Sequence, residues 1–150
     1  MSDTLAIAAA IAARFASGVN PPSGQPSIVT ATEQLPTGMG GLPSLFVFPP
    51  DEPDIEHPGS ATRFSVQHYP TRFYLVAEPS DPTDITALHG WRSALQDRIL
   101  TQFQLGRAGE VAVARIASIR PGVLTYAGID YLGLDMTVAV TVSEPISPVA

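Results

Sequence analysis

Two amino acids are missing from this chain of 150 residues, cysteine and lysine. Without cysteine there is no disulfide scaffold, no thiolate zinc site and no thiol nucleophile. Without lysine there is no P-loop lysine, no Schiff-base lysine and no lysine-rich patch. All eight basic residues are arginine, set against 14 acids, and the formal net charge is −6. Such a balance argues against a free-standing nucleic-acid binder, which holds its ligand by neutralising phosphates. Long apolar runs are scarce as well. Leu5 to Ala13 is nine residues, too short for a membrane span. Asp3 precedes it where a signal peptide would carry positive charge, and Arg14 ends it, so the chain reads as one made in the cytoplasm with no membrane segment.

The composition that remains suits one domain over residues 1–150, with a loose tail from about residue 145. Apolar residues make up 45%, but 19 residues are alanine, so the core is smaller than that share suggests. Residues 3–17 read as a helix, with Ser2 or Asp3 as N-cap, Gly18 at C′ and Ile7, Ile11 and Phe15 on one stripe. Residues 18–60 hold nine of the fifteen prolines and six of the twelve glycines, the mark of irregular chain. Within them Ser27–Thr32 is a weak strand candidate and Ser44–Phe48 a stronger one, with a turn at Gly38-Met39-Gly40-Gly41 between them.

Residues 63–77 read as extended, with Pro70 dividing one kinked strand or two. Residues 81–105 read as a second helix capped by Asp81, with Leu88, Trp91, Leu95, Ile99 and Phe103 on one stripe and Gly106 as the stop. Gly90 weakens that helix or permits a close backbone approach. Then come a strand to Ile119, a turn at Arg120-Pro121-Gly122, a short strand to Tyr126, a turn at Ala127-Gly128 and a final strand over 131–143. In the last strand Leu132, Leu134, Met136, Val138, Val140 and Val142 alternate with Asp135, Thr137, Ala139 and Thr141. One buried face and one that is wet or lined by small residues point to an α+β fold: a mostly antiparallel sheet with two helices packed on one face.

The candidates for chemistry do not assemble into a site. His57, His68 and His89 fall on a loop, a strand and a helix, without metal-ligand spacing. There is no Gly-x-Ser-x-Gly elbow. The acids Asp51, Glu52, Asp54 and Glu56 lack the EF-hand pattern and read as an exposed loop, facing a partner or a channel. No catalytic residue, metal or cofactor is expected. Charge is segregated, with residues 1–62 at net −5 and residues 91–120 at net +3. An acidic and a basic segment on one chain favour head-to-tail contact between copies, with Arg92, Arg98 and Arg107 as candidate subunit contacts.

The order of short motifs adds a resemblance. An Ala-rich helix leads to a Pro-rich stretch, and a strand ends in Phe48-Pro49 before the acidic run. A strand carries Arg72-Phe73-Tyr74, and a helix carries Trp91-Arg92 and runs to Leu105-Gly106. Gly122-Val-Leu-Thr-Tyr-Ala-Gly128 and Tyr131-x-Gly133 introduce the last strand. Over residues 3–144 this pattern resembles the tail terminator (tail completion) proteins of long-tailed bacteriophages. The resemblance implies a structural virion protein at the head–tail junction, with no catalytic residues. It implies a homo-oligomeric ring, typically a hexamer, that caps the tail tube, stops its polymerisation and joins a head-completion or connector protein. DNA passes through such a ring without specific binding, and an acidic chain suits that channel. Head-side neck and head-closure connectors share this size and composition. A small α/β binding module or enzyme with an unrecognised pocket is the alternative of another class.

Overall fold

The computed structural model describes residues 4–34, 39–50, 54–56, 62–79, 81–107 and 111–145. Along the chain run α1 (Thr4–Ala16), β1 (Thr30–Thr32), β2 (Ser44–Val47), β3 (Asp54–Glu56), β4 (Thr62–Ala77), α2 (Pro82–Thr101), β5 (Val111–Tyr126) and β6 (Ile129–Pro145). The strands form one sheet in the order β1-β2-β4-β6-β5, with β3 pairing to β4 off that path. Only β1 and β2 run parallel, and every other pairing is antiparallel. The fold is α+β, with both helices on one face of the sheet.

The helix-facing core is built from the expected stripes. Ile7, Ile11 and Phe15 of α1 are buried together with Leu88, Trp91, Leu95 and Ile99 of α2, against Leu134, Met136, Val138, Val140 and Val142 of β6. The small alanine surface of α1 seats it over β1 and β2, while α2 lies chiefly over β5. Gly18 closes α1 at a φ of +83°, a conformation glycine adopts without penalty. At the start of α2 the Asp81 N–H donates to Asp84 Oδ2 at 2.9 Å, half of a capping box, and Pro82 takes the first helical position. A Cβ on Gly90 would stand 2.9 Å from the Pro22 ring, so this glycine admits the Pro-rich segment onto α2. Trp91 Nε1 holds the same segment through Gln25 Oε1 at 3.4 Å.

Four expectations are corrected. The second helix stops at Thr101, not at residue 105. The Gln102 N–H divides between the carbonyls of Arg98 and Ile99, which tightens the last turn. The chain then reverses through Leu105 and Gly106, both at positive φ. That reversal buries Leu105 and leaves Phe103 48% exposed, so Leu105 fills the place on the core expected of Phe103.

Pro70 neither divides nor kinks its strand, since β4 pairs with β6 straight through Pro70↔Thr137 and the irregularity falls between Tyr74 and Val76. The Pro70 carbonyl accepts from the Phe48 N–H at 2.8 Å, so its nitrogen faces the β2 side too. A proline cannot return that bond to the Phe48 carbonyl, and β2 ends one residue earlier, at Val47 opposite Thr71.

Arg120-Pro121-Gly122 is not a turn. β5 runs on through it, with Pro121 opposite Leu134. Tyr126 and Ile129 close the two-residue turn Ala127-Gly128, whose φ values of 53° and 81° are those of a type I′ hairpin. Counting back from that closing pair, the Pro121 nitrogen points away from β6. β5 is an edge strand, so the ladder loses nothing.

Asp54 and Glu56 belong to β3, paired with Val66 and Phe64, and do not lie in a loop. Antiparallel pairing to the long β4 supplies backbone partners that local sequence cannot reveal. Asp51 and Glu52 lie outside the described residues, as do His57, the cap candidates Ser2 and Asp3, and the tail after Pro145.

Candidate functional site

Three surface features stand out, two of them depressions at opposite edges of the sheet. The first is an open groove of about 210 Å³ between the start of α2 and the β5–β6 hairpin, lined by Ile85, Leu88, His89, Arg92, Pro121, Gly122, Leu132 and Leu134. Its surface is almost wholly apolar carbon, and Arg92 is the one formal charge in the lining. Two exposed side chains extend it: Ile85 on the first turns of α2, 52% exposed, and Val123, two residues beyond Pro121 on the same face of β5, 58% exposed. The second is a smaller depression of about 100 Å³ beside α1 and β2, lined by Thr4, Leu5, Ala8, Glu33, Val47, Pro49 and Pro50, in which Glu33 is the one formal charge among the described residues.

The third feature lies on the sheet face away from the helices. Phe46 and Tyr74 sit 5.6 Å apart between ring centres, Phe46 and Tyr126 also 5.6 Å, and Tyr74 and Tyr131 5.5 Å in an edge-on contact. Leu124 completes the buried cluster, and Met39, Leu42 and Phe48 pack over it. Beside it Arg72 stacks on Phe48, 5.5 Å from the ring centre. Cross-strand register places Asp135 opposite Arg72 on one side and opposite Arg120 on the other. The Tyr74 hydroxyl is buried with no hydrogen-bond partner in bonding geometry. Burial raises its pKa, and the nearby Arg72 guanidinium offsets part of that rise.

This cluster was missed in the sequence because its members come from four strands and a loop. The one available signal was the placement of Tyr126 and Tyr131 on either side of a two-residue turn. The face expected to be wet or lined by small residues is therefore aromatic at the hairpin end, while Asp135 is exposed and Thr137 and Thr141 are half-buried farther along.

The three candidate contact arginines have different settings. Arg92 is exposed and lines the apolar groove. Arg98 is half-buried: its Nε donates to the Arg14 carbonyl at 2.7 Å and fastens α2 to the end of α1, and its side chain also lines an open depression with Gly18, Asn20, Ala94, Asp97 and Thr101. Periodicity placed Arg98 off the core stripe, but could not show that α1 ends beside it. Arg107 is half-buried after the turn, donating its N–H to the Gln104 carbonyl and accepting from the Val111 N–H, both at 2.8 Å.

His68 is half-buried on β4, and His89 is exposed beside Arg92. No group of three His, Asp or Glu side chains converges on a metal position among the described residues. None of their helices is long and apolar enough to cross a membrane. A scan of protein-family models returns no match to this chain, and neither does a search of curated proteins.

Proposed function

We propose that this chain is a structural virion protein of the tail-terminator type, a ring that caps the tail tube of a long-tailed bacteriophage, ends its polymerisation and joins it to the head. The observation that carries the reading is the architecture: a mostly antiparallel sheet with two helices on one face, the fold that the motif resemblance implies. The exposed apolar side chains at both sheet edges support it further, since a subunit of a closed ring needs two non-identical contact faces. In this reading the protein's work is geometric. It covers the last tube ring, offers a new surface to the connector and leaves a channel through which DNA slides.

Deletion of the gene from the phage, followed by electron microscopy of lysates, tests this. The expected products are DNA-filled heads and overlong or irregular tails, unjoined, with joining restored by the purified protein. Normal tails on unjoinable heads would place the protein on the head side of the junction. Intact infectious particles would remove it from the junction.

A further inference from the structure

Resting on the ring reading, we propose that neighbouring copies join edge to edge, with the apolar groove between α2 and the β5–β6 hairpin of one copy receiving the α1–β1 edge of the next, and Arg92 facing Glu33 across the contact.

Charge is segregated along the chain, acidic over residues 1–62 and basic over residues 91–120. Sheet order turns this into a segregation in space, because α1, β1 and β2 form one edge, and β5 with α2 above it forms the other. From β1 to β5 there are four strand spacings, about 19 Å. At the α2 edge the groove is apolar, carries one positive charge, Arg92, and is extended by the exposed Ile85 and Val123. At the α1 edge Leu5 is 60% and Val29 59% exposed, and the adjoining depression carries one negative charge, Glu33. The sequence follows Pro50, in the wall of that depression, directly with Asp51 and Glu52. Each depression thus combines apolar surface with one formal charge among its described lining residues, and the two charges are opposite.

Complementary potentials select the head-to-tail arrangement, because like edges would bring like charges together. Contacts between unlike edges are heterologous, and these generate a ring where the rotation between copies closes. The contact is made by side chains, not by adding a strand to the sheet. Pro121 sits in the middle of the outward-facing stretch of β5 with its nitrogen turned to the edge, so a strand laid alongside would find no donor there.

The absence of cysteine makes a direct test possible. Glu33→Cys and Arg92→Cys chains are prepared separately and treated with a short bismaleimide, alone and mixed. The two positions are too far apart to be joined within one chain, so any link is between copies. The expected result is a linked dimer only in the mixture, and in the doubly substituted chain a ladder that ends at the subunit number of the ring. Arg92→Glu should raise the concentration needed for assembly several-fold, and adding Glu33→Arg to it should restore assembly. Light scattering of the unsubstituted chain reads oligomerisation independently. Oligomers that form while the mixture fails to link, or while each variant links to itself, overturn this interface and leave the ring reading standing. A chain that stays monomeric at every concentration and forms no ring in purified particles overturns both.

Discussion

Arg98 Nε donates to the Arg14 carbonyl at 2.7 Å, joining residues 84 positions apart in the chain. The acceptor lies in the last turn of α1, where carbonyls lack helical partners and the helix dipole is negative. The guanidinium also fills the space under Gly18, where a Cβ would stand only 2.5 Å from Arg98 Cζ. Arg14 reciprocates with a long contact from Nη1 to Gln102 Oε1, 3.5 Å, so the two helix ends hold each other. A charged donor to a backbone carbonyl is worth about 1.5–3 kcal/mol. Arg98→Ala should therefore lower monomer stability by about that amount in denaturant unfolding. Arg98→Glu should lower it further by placing negative charge at a helix C-terminus. Equal stability of all three chains would show that the contact contributes nothing to the fold.

The two ends of the α2 stripe should respond differently to truncation. Leu95 is fully buried within the core cluster, whereas Phe103 lies beyond the helix and is 48% exposed. Leu95→Ala removes core volume and should cost about 2–5 kcal/mol, a large part of the ~5–15 kcal/mol typical of a domain. Phe103→Ala should cost well under half as much, as read by the shift in urea midpoint at constant slope.

Gly133 is the position on β6 least able to accept a side chain. A Cβ there would lie 2.0 Å from the Phe73 carbonyl oxygen, a backbone atom that cannot move without parting β4 from β6. Gly133→Ala should destabilise by about 1–3 kcal/mol or more, despite alanine's smaller loss of backbone entropy. Gly122, its cross-strand partner, has open space at the same point, so Gly122→Ala is the matched control and should be far milder. Thermal unfolding of the two variants separates them.

Alkaline pH should reach the fold through Tyr74. Burial raises its folded-state pKa above the ordinary value, so the native state holds the proton more tightly than the unfolded chain. The associated stability is complete below about pH 10, the unfolded value, and is lost as pH rises through the folded one. Tyr74→Phe should flatten the fall in stability above about pH 10. At neutral pH the same variant should change stability little, because the deleted hydroxyl makes no hydrogen bond in bonding geometry and has only the Arg72 guanidinium near it. Chemical denaturation at neutral and alkaline pH reads both effects.

Periodic features were legible in the sequence because they are local. The stripes Ile7–Ile11–Phe15 and Leu88–Trp91–Leu95–Ile99, the alternation along β6 and the Ala127-Gly128 turn follow from the 3.6- and 2-residue repeats and from backbone preference, and all recur in the fold. They suffice for the architecture, since two amphipathic helices and a one-sided sheet bury their apolar faces only by stacking. The segregation of charge along the chain was legible as well, because it depends on residue order alone.

The tertiary structure decided whatever depends on which side of a strand, or which end of a helix, a residue meets. Proline is a breaker by local rule, yet Pro70 and Pro121 both sit inside strands, because the Pro121 nitrogen faces the open edge of the sheet and the Pro70 nitrogen faces the point where β2 ends, and position in the sheet is not a local property. Arg98 and Arg92 are alike as helix residues and differ only in what lies beside them, the end of α1 for one and an apolar groove for the other. The aromatic cluster around Tyr74 exists because sheet order brings β2, β4, β6 and β5 side by side. Repeats along a chain specify which faces are buried; strand order and register, fixed by long-range packing, specify which residues share a face and so where a partner can dock.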